Sequence, residues 1–209
     1  MTGPLSRVRA IVVSWNSAGH VGRAVASVPP PARVVVVDNA STDGSASEAE
    51  RAGAVVLRLE SNAGFGPACN LGAGPVDGLP DAETLLFLNP DAALVDGPAA
   101  LAALLAELDA DPAVAAVAPA LEGDGQEEFQ LRRLPTLGSL AREAFLVNRL
   151  FASNRGFRGE RYLDRDRSEP FDVEQPAAAA LLVRREAFER VGGFDPAFAP
   201  AWFEDVDLS

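Results

Sequence analysis

Four short apolar runs, each breaking at once into polar residues, leave this chain few ways to fold. They are Val8–Val13, Arg33–Val37, Val55–Leu59 and Thr84–Leu88. The first two are rich in Val and mostly apolar, the pattern of strands buried on both faces of a parallel sheet, and the other two are read as a third and a fourth strand. Helical spacing separates them at Val21–Val28, Ser45–Ala52 and Pro67–Ala73, and Pro29-Pro-Pro31 stops the first helix. Gly97–Leu108 follows with Leu101, Leu104, Leu105 and Leu108 on one face, and a fifth strand is expected over Ala113–Ala118. Alternating strands and helices predict an α/β fold: a mostly parallel central sheet, doubly wound, flanked by helices and joined by right-handed crossovers.

Beyond residue 119 the alternation lapses. Leu121–Leu131 carries Glu-Gly-Asp-Gly-Gln and is expected to form a hairpin; Leu137–Phe151 has the spacing of an amphipathic helix. Ala152–Glu174 is rich in Arg, Gly and Asp and is read as a mobile loop or extended excursion. Ala177–Val183 suits a further strand and Arg184–Arg190 a helix, after which Val191-Gly-Gly-Phe-Asp-Pro196 turns the chain. One domain over residues 1–209 is expected.

Charge and rare residues exclude several functions. The net charge of −12 argues against a nucleic-acid binder, which would need a basic face for phosphates. The chain has no Lys, so a Schiff-base lysine or a Walker-type phosphate lysine cannot exist. His20 is the only His, which rules out a His-rich zinc site. Cys69 is the only Cys and makes no internal disulfide, as suits a reducing compartment. No apolar run approaches the ~20 residues of a membrane span, and Met-Thr-Gly-Pro lacks the features of a signal peptide. The expectation is a cytoplasmic protein, with peripheral association at the inner face of the membrane as the alternative.

The polar clusters fall where such a sheet binds ligands, past the carboxyl ends of its strands. Ser14, Trp15 and Asn16 follow the first strand; Asp38, Asn39 and Asp43 follow the second; Asn62, Gly64, Phe65 and Gly66 follow the third; Asn89 and Asp91 follow the fourth. Asp38 suits a hydrogen bond from a pyrimidine N3–H or a ribose hydroxyl, whereas Ser41, Thr42 and Asp43 also suit a turn and helix cap. The glycines near Gly64 allow backbone to approach a nucleotide or simply make a tight turn, and Asn70 on the next helix could face the same cleft. Asp91 suits Mg²⁺ or Mn²⁺ against a diphosphate, with Asn89 offering at best an amide oxygen; an Asn-Pro-Asp turn is the plain alternative. Residues 132–190 hold twelve Arg, which suit either a diphosphate-bearing acceptor or a solvated surface, and at least one of Arg184 and Arg185, which follow an apolar run, is expected to reach back to the cleft. The closing stretch sets Glu204, Asp205 and Asp207 beside Trp202 and Phe203, an aromatic wall next to proton acceptors.

Seven segments stand in order along the chain: Val12-Val-Ser-Trp-Asn16, Val37-Asp-Asn-Ala-Ser-Thr-Asp-Gly-Ser45, Asn62-Ala-Gly-Phe-Gly-Pro-Ala-Cys-Asn70, Leu88-Asn-Pro-Asp91, Leu181-Leu-Val-Arg-Arg-Glu-Ala-Phe188, Val191-Gly-Gly-Phe-Asp195 and Phe203-Glu-Asp-Val-Asp-Leu208. Together they resemble inverting family 2 glycosyltransferases of the GT-A fold, in the bacterial rhamnosyltransferase branch. The resemblance implies transfer of a sugar from a nucleoside diphosphate sugar, UDP- or dTDP-linked and with rhamnose as the family lean, to a glycan or lipid-linked acceptor. It implies that Asp38 contacts the base, Asp91 stands at the metal-binding acid, and Asp205 is the general base. Glu204 would contact the acceptor or fix its loop, and Trp202 and Arg184 would lie on the acceptor side. Residues 1–119 would be the nucleotide-sugar half and 120–209 the acceptor half. Asn89 departs from the family's first metal-binding acid, and Ala177–Ala180 stand where relatives carry a glycine. Because relatives continue past the Glu-Asp motif, the acceptor half is expected to be incomplete at its C-terminus. A non-catalytic nucleotide-sugar-binding module or inactive fragment is the alternative reading. A dinucleotide oxidoreductase is disfavoured, because the first turn lacks Gly-x-Gly-x-x-Gly.

Overall fold

The structure is a computed structural model that describes residues 3–123, 130–138, 155–166, 168–199 and 204–208, with backbone alone at 155–157, 204 and 205. The expected strands form β1 (Val8–Ser14), β2 (Arg33–Asp38), β3 (Val55–Arg58) and β4 (Thr84–Leu88), with β5 reduced to Ala116–Val117. Between them lie α1 (Val21–Ser27), α2 (Ser45–Arg51), α3 (Phe65–Ala73) and α4 (Gly97–Ala110). Then come β6 (Leu131–Arg132), α5 (Arg155–Glu160), β7 (Gln175–Pro176), β8 (Ala180–Arg184), α6 (Arg185–Arg190) and α7 (Glu204–Leu208).

Six strands make the central sheet in the order β3-β2-β1-β4-β8-β5. β1, β2, β3 and β4 are parallel, and β8 runs antiparallel to both β4 and β5. The expected mostly parallel, helix-flanked sheet is therefore present. Its core explains the unbroken apolar runs. Ile11, Val13, Val35, Val37, Leu85, Phe87, Leu181 and Val183 cluster with Ala68, Cys69 and Ala73 of α3 and Phe188 of α6. The alternate residues Ala10, Val12, Val36, Leu86 and Leu182 are equally buried, so both faces are covered. Gly72 lets α3 sit against β1: a Cβ there would lie 2.6 Å from the Ile11 side chain.

Arg9 is the polar exception inside β1, at 1 % exposure. Its guanidinium donates to Gly74 O (2.6 Å) and Pro80 O (2.8 Å), closing the C-terminal end of α3. Burial, and then the neighbouring Arg185, lower its pKa from the ordinary arginine value.

By contacts the chain divides into two compact units, one of residues 1–119 with Ala178–Leu208, the other Ala120–Ala177. In the second, β6 pairs antiparallel with β7, Leu131 opposite Pro176. The partner of Leu131 thus comes from far downstream, although the middle of the hairpin expected over Leu121–Leu131 lies outside the described residues. The helix expected at Leu137–Phe151 also falls mostly outside them. The excursion expected over Ala152–Glu174 contains α5 and a buried Tyr162, whose ring meets Phe171 and carries Arg133 at 5.1 Å. Arg133 also pairs with Glu174 at 3.0 Å. No helix among the described residues is long and apolar enough to cross a membrane.

Candidate functional site

The carboxyl ends of β1, β2 and β3 are stitched together by one buried residue. Asn39, 2 % exposed, donates its backbone N–H to Ser14 O (2.8 Å) and its side-chain amide to Gly64 O (3.2 Å), and accepts from Ala63 N–H (2.8 Å). Three loops remote in sequence thereby meet at one residue, through its backbone N–H and its side-chain amide. Asn16 repeats the device nearer solvent: its N–H donates to Ser41 Oγ (2.9 Å) and its Oδ1 accepts from Thr42 N–H (2.9 Å). Asn16 (φ 51°) and Ala40 (φ 61°) sit in the left-handed region that non-glycine residues seldom occupy, so these bonds hold backbone that costs roughly 1 kcal/mol or more per residue.

Asp43 belongs to this scaffold. One carboxylate oxygen accepts from Ala18 N–H (3.0 Å), and the other from the Ser45 N–H (3.0 Å) and hydroxyl at the start of α2. The Ser45 hydroxyl, followed by the Ala18 amide, holds the Asp43 pKa below the usual carboxylate range. The turn half of the alternative weighed for Ser41–Asp43 is thus present, whereas the N-cap of α2 is Gly44 and no side chain caps it. Asn62 likewise turns its Oδ1 onto Gly64 N–H (2.9 Å), shaping the turn into α3.

Asp38 and Ser14 differ from their neighbours. They are register partners at the last rung of β1 and β2 and are 4 % and 0 % exposed. Asp38 accepts one weak bond, from Ser41 N–H at 3.3 Å; its Oδ1 and the Ser14 Oγ are buried without a partner. A buried unsatisfied polar atom costs ~1–3 kcal/mol, so two side by side at a sheet edge call for an explanation. Trp15, immediately beyond, is 59 % exposed and presents its indole to solvent.

The fourth loop is anchored through its backbone. Asn89 N–H donates to Ala179 O (2.9 Å), and Asn89 O accepts from Ala92 N–H (3.1 Å). This sets the alanine segment before β8 directly against the strand end. Asp91 is exposed, and its carboxylate joins no hydrogen bond or ion pair among the described residues. Among those residues no group of three or more His, Cys, Asp or Glu is placed to hold a metal.

Two expected side chains are committed elsewhere. Asn70 does not present its amide to the cleft: Nδ2 donates to Phe194 O (2.7 Å), and Oδ1 accepts from Phe194 N–H (3.0 Å). Arg184 is corrected outright. Because β8 is antiparallel, Arg184 pairs with Thr84 at the start of β4, the edge opposite Ser14, Asp38 and Asn89. There its guanidinium donates to Val114 O (2.8 Å) and to the Leu108 and Asp111 carbonyls, closing the end of α4. Arg185 is similarly held by Ala82 O and Ala73 O.

Phe194 was not legible as a site element. It is 1 % exposed and meets Phe65 (5.9 Å), Phe87 (5.1 Å) and Phe188 (5.6 Å) ring to ring, each edge-on. Phe65 opens α3 beside Gly64 and the buried Gly66, and Phe87 lies two residues before Asn89. α7 places Glu204 and Asp205 in its first turn and packs Leu208 against this same cluster, with Asp207 exposed. Trp202 and the side chains of Glu204 and Asp205 lie outside the described residues.

The family model for Glycosyl transferase family 2 matches residues 10–192. A Mycobacterium tuberculosis N-acetylglucosaminyl-diphospho-decaprenol L-rhamnosyltransferase is 31 % identical over 95 % of this chain and 67 % of its own length. Among solved structures, S. aureus TarS matches with a TM-score of 0.56 and 18 % identity, over 95 % of this chain and 52 % of that one. The glucosyl-3-phosphoglycerate synthase of M. tuberculosis, crystallised with Mn²⁺, UDP and glucosyl-3-phosphoglycerate, matches at 0.53 and 20 %, over 87 % and 57 %. These structures share the fold, and the chain spans about half the length of each.

Proposed function

This chain belongs to glycosyl transferase family 2, and from that premise we propose that it moves a sugar from a UDP- or dTDP-linked donor to a hydroxyl of a glycan or lipid-linked acceptor, with inversion. Rhamnose is the favoured sugar, after the activity named for the mycobacterial relative. A lipid-linked acceptor brings the protein to a membrane face from outside the bilayer.

The observation that carries the reading is the orphaned Asp38 Oδ1 at the meeting point of the knotted strand-end loops. A buried carboxylate oxygen short of a donor suits the N3–H of a pyrimidine, and the exposed Trp15 offers a flat apolar surface at the rim. Asn39, Asn16, Asp43 and Asn62 hold the loops around that position. Asp38→Asn should weaken UDP binding by roughly tenfold or more, without loss of stability, because a neutral amide replaces an under-solvated charge. Unchanged affinity in calorimetry would falsify the assignment.

A divalent cation fits the loop after β4 in one mode only. Mg²⁺ or Mn²⁺ takes one or two protein carboxylates and completes its shell with phosphate oxygens and water, which asks for no larger acidic cluster. Asp91, exposed and uncommitted, would hold it, with the Asn89 amide oxygen as a neutral neighbour. The chemistry supplied there is to offset negative charge on the departing diphosphate. Asp91→Ala should therefore abolish the Mn²⁺-dependent part of UDP affinity and leave the metal-free part intact. Equal Mn²⁺ enhancement in both proteins would remove Asp91 from the site.

The transfer itself is a single displacement. Asp205 takes the proton of the acceptor hydroxyl as that oxygen bonds to the anomeric carbon. The anomeric C–O bond breaks, and its electron pair leaves on the nucleoside diphosphate. A thermal-shift panel of nucleotide sugars, with and without Mn²⁺, tests the donor class: stabilisation by UDP or dTDP sugars is expected, and none by either would overturn the reading.

A further inference from the structure

We propose that Asn70 is a positioning residue that fixes the acid-bearing segment against the donor-side helix. This rests on the reading of Glu204–Leu208 as the catalytic segment. The observation is a two-point grip. Asn70 stands in the second turn of α3, the helix launched by the Gly64 turn, and its amide holds both backbone polar groups of Phe194, 124 residues away. One amide donates and accepts on the same residue, so the bonds fix the orientation of the turn as well as its distance. The turn is built for close approach. Gly193 has φ +76°, and a Cβ on it would lie 2.6 Å from Asn70 Oδ1 and 3.2 Å from Phe188 Cζ. A side chain at Gly193 would therefore push the amide out of place and strain the backbone.

The grip has a consequence because of what leads into and out of it. Upstream of Asn70 are Phe65 and the Gly64 turn that Asn39 ties to β2. Downstream of Phe194, Asp195 caps a 3₁₀ turn at Pro196–Phe198, accepting from Ala197 N–H (2.8 Å), and the chain goes on to α7. The far end of α7 is held by Leu208 on the cluster that contains Phe194. α7, which carries Asp205, is thus held through Leu208 on the cluster that contains Phe194, and Phe194 is itself hydrogen-bonded to the donor-side helix. A general base works only within hydrogen-bond reach of the proton it removes, and misplacement by an ångström costs on the order of a hundredfold in rate.

The test uses Asn70→Leu, which keeps the volume and removes both bonds, and Gly193→Ala, which disturbs the same grip from the other side. Amide hydrogen exchange over Phe194–Ala199 and Glu204–Leu208 should quicken roughly tenfold or more in each variant, with Ile11–Val13 and Leu85–Phe87 unchanged. The double variant should exchange less quickly there than the two single effects combined, because both changes act on one interaction, with only the backbone strain at Gly193 independent of Asn70. UDP affinity should stay within about twofold while turnover falls about tenfold, a split that general destabilisation does not produce. Unaltered exchange at Glu204–Leu208, a uniform rise across the sheet, or additive effects in the double variant would each overturn the inference. Parallel measurements on the unmodified chain and on Asp205→Asn separate the two readings. If the unmodified chain fails to bind UDP, or Asp205→Asn transfers normally, the functional reading falls while exchange still decides the grip. If both behave as expected and Asn70→Leu turns over normally, this inference alone falls.

Discussion

Asp205→Asn should lower sugar transfer by roughly two to four decades, the contribution of a positioned general base, while UDP still binds with its original affinity. The two halves of this result have separate causes. Asn has the size and shape of Asp but cannot take a proton from the acceptor hydroxyl at neutral pH, so the attacking oxygen must lose its proton to water. The groups proposed for the nucleotide sit on other elements: Asp38 at the end of β2, Trp15 and Asn16 after β1, and Asp91 after β4. α7 carries Asp205 in its first turn and is anchored by Leu208 three residues on, so a neutral side chain at 205 leaves that anchor in place. The loss should therefore appear in kcat, with the donor KM unchanged, as for an interaction used in the transition state. The assay is release of nucleoside diphosphate from the nucleotide sugar that the thermal-shift panel selects, with UDP titrated separately by calorimetry. Undiminished turnover would remove Asp205 from the mechanism; loss confined to Glu204→Gln would move the base one residue back.

The legible part of this protein is the part whose physics is local. A run such as Ile11–Val13 announces a strand covered on both faces, because no residue in it tolerates water. The loops after β1, β2 and β4 announce themselves because polar residues there have no ladder to join. That reasoning located Asp38 and Asp91 correctly at strand ends. It did not give strand direction at β8, since Ala180–Arg184 has the same composition whichever way it runs. Direction moved Arg184 from the expected cleft to the opposite edge, where three carbonyls at the end of α4 hold it. Asn39, Asn62 and Asn70 show a second limit. Each is an amide in a loop or on the short helix that follows one, a residue type that serves a ligand or a backbone equally well. The structure commits Asn39 to Gly64 and Ala63, Asn62 to Gly64, and Asn70 to Phe194. Contacts that span 124 residues leave no periodicity or spacing to read, although the paired glycines at 192 and 193 did mark a turn.

Phe194→Ala should be the most destabilising single change among the residues of the site, costing roughly 3–5 kcal/mol, as large-to-small changes of buried aromatics do. The ring is 1 % exposed, so the whole of its transfer energy is lost. Its three edge-on partners come from different parts of the chain: Phe65 from the Gly64 turn, Phe87 from the end of β4 and Phe188 from α6. These cannot all close on the vacancy, because Phe65 is held through the Gly64 turn and Phe87 lies inside a strand paired on both sides. A cavity therefore remains, and its cost adds to the transfer term. Against a typical stability of ~5–15 kcal/mol this removes a large share of the total. Urea unfolding followed by circular dichroism measures it, with the midpoint falling and the slope preserved. Phe194→Leu should recover more than half of the loss, because Leu refills part of the volume while the Asn70 bonds, which use only backbone atoms of Phe194, persist. A loss below about 1 kcal/mol for Phe194→Ala, the level of an ordinary surface change, would mean that the four rings are not a common support, and the link between donor turn, β4 and the acid-bearing segment would lose its packing half.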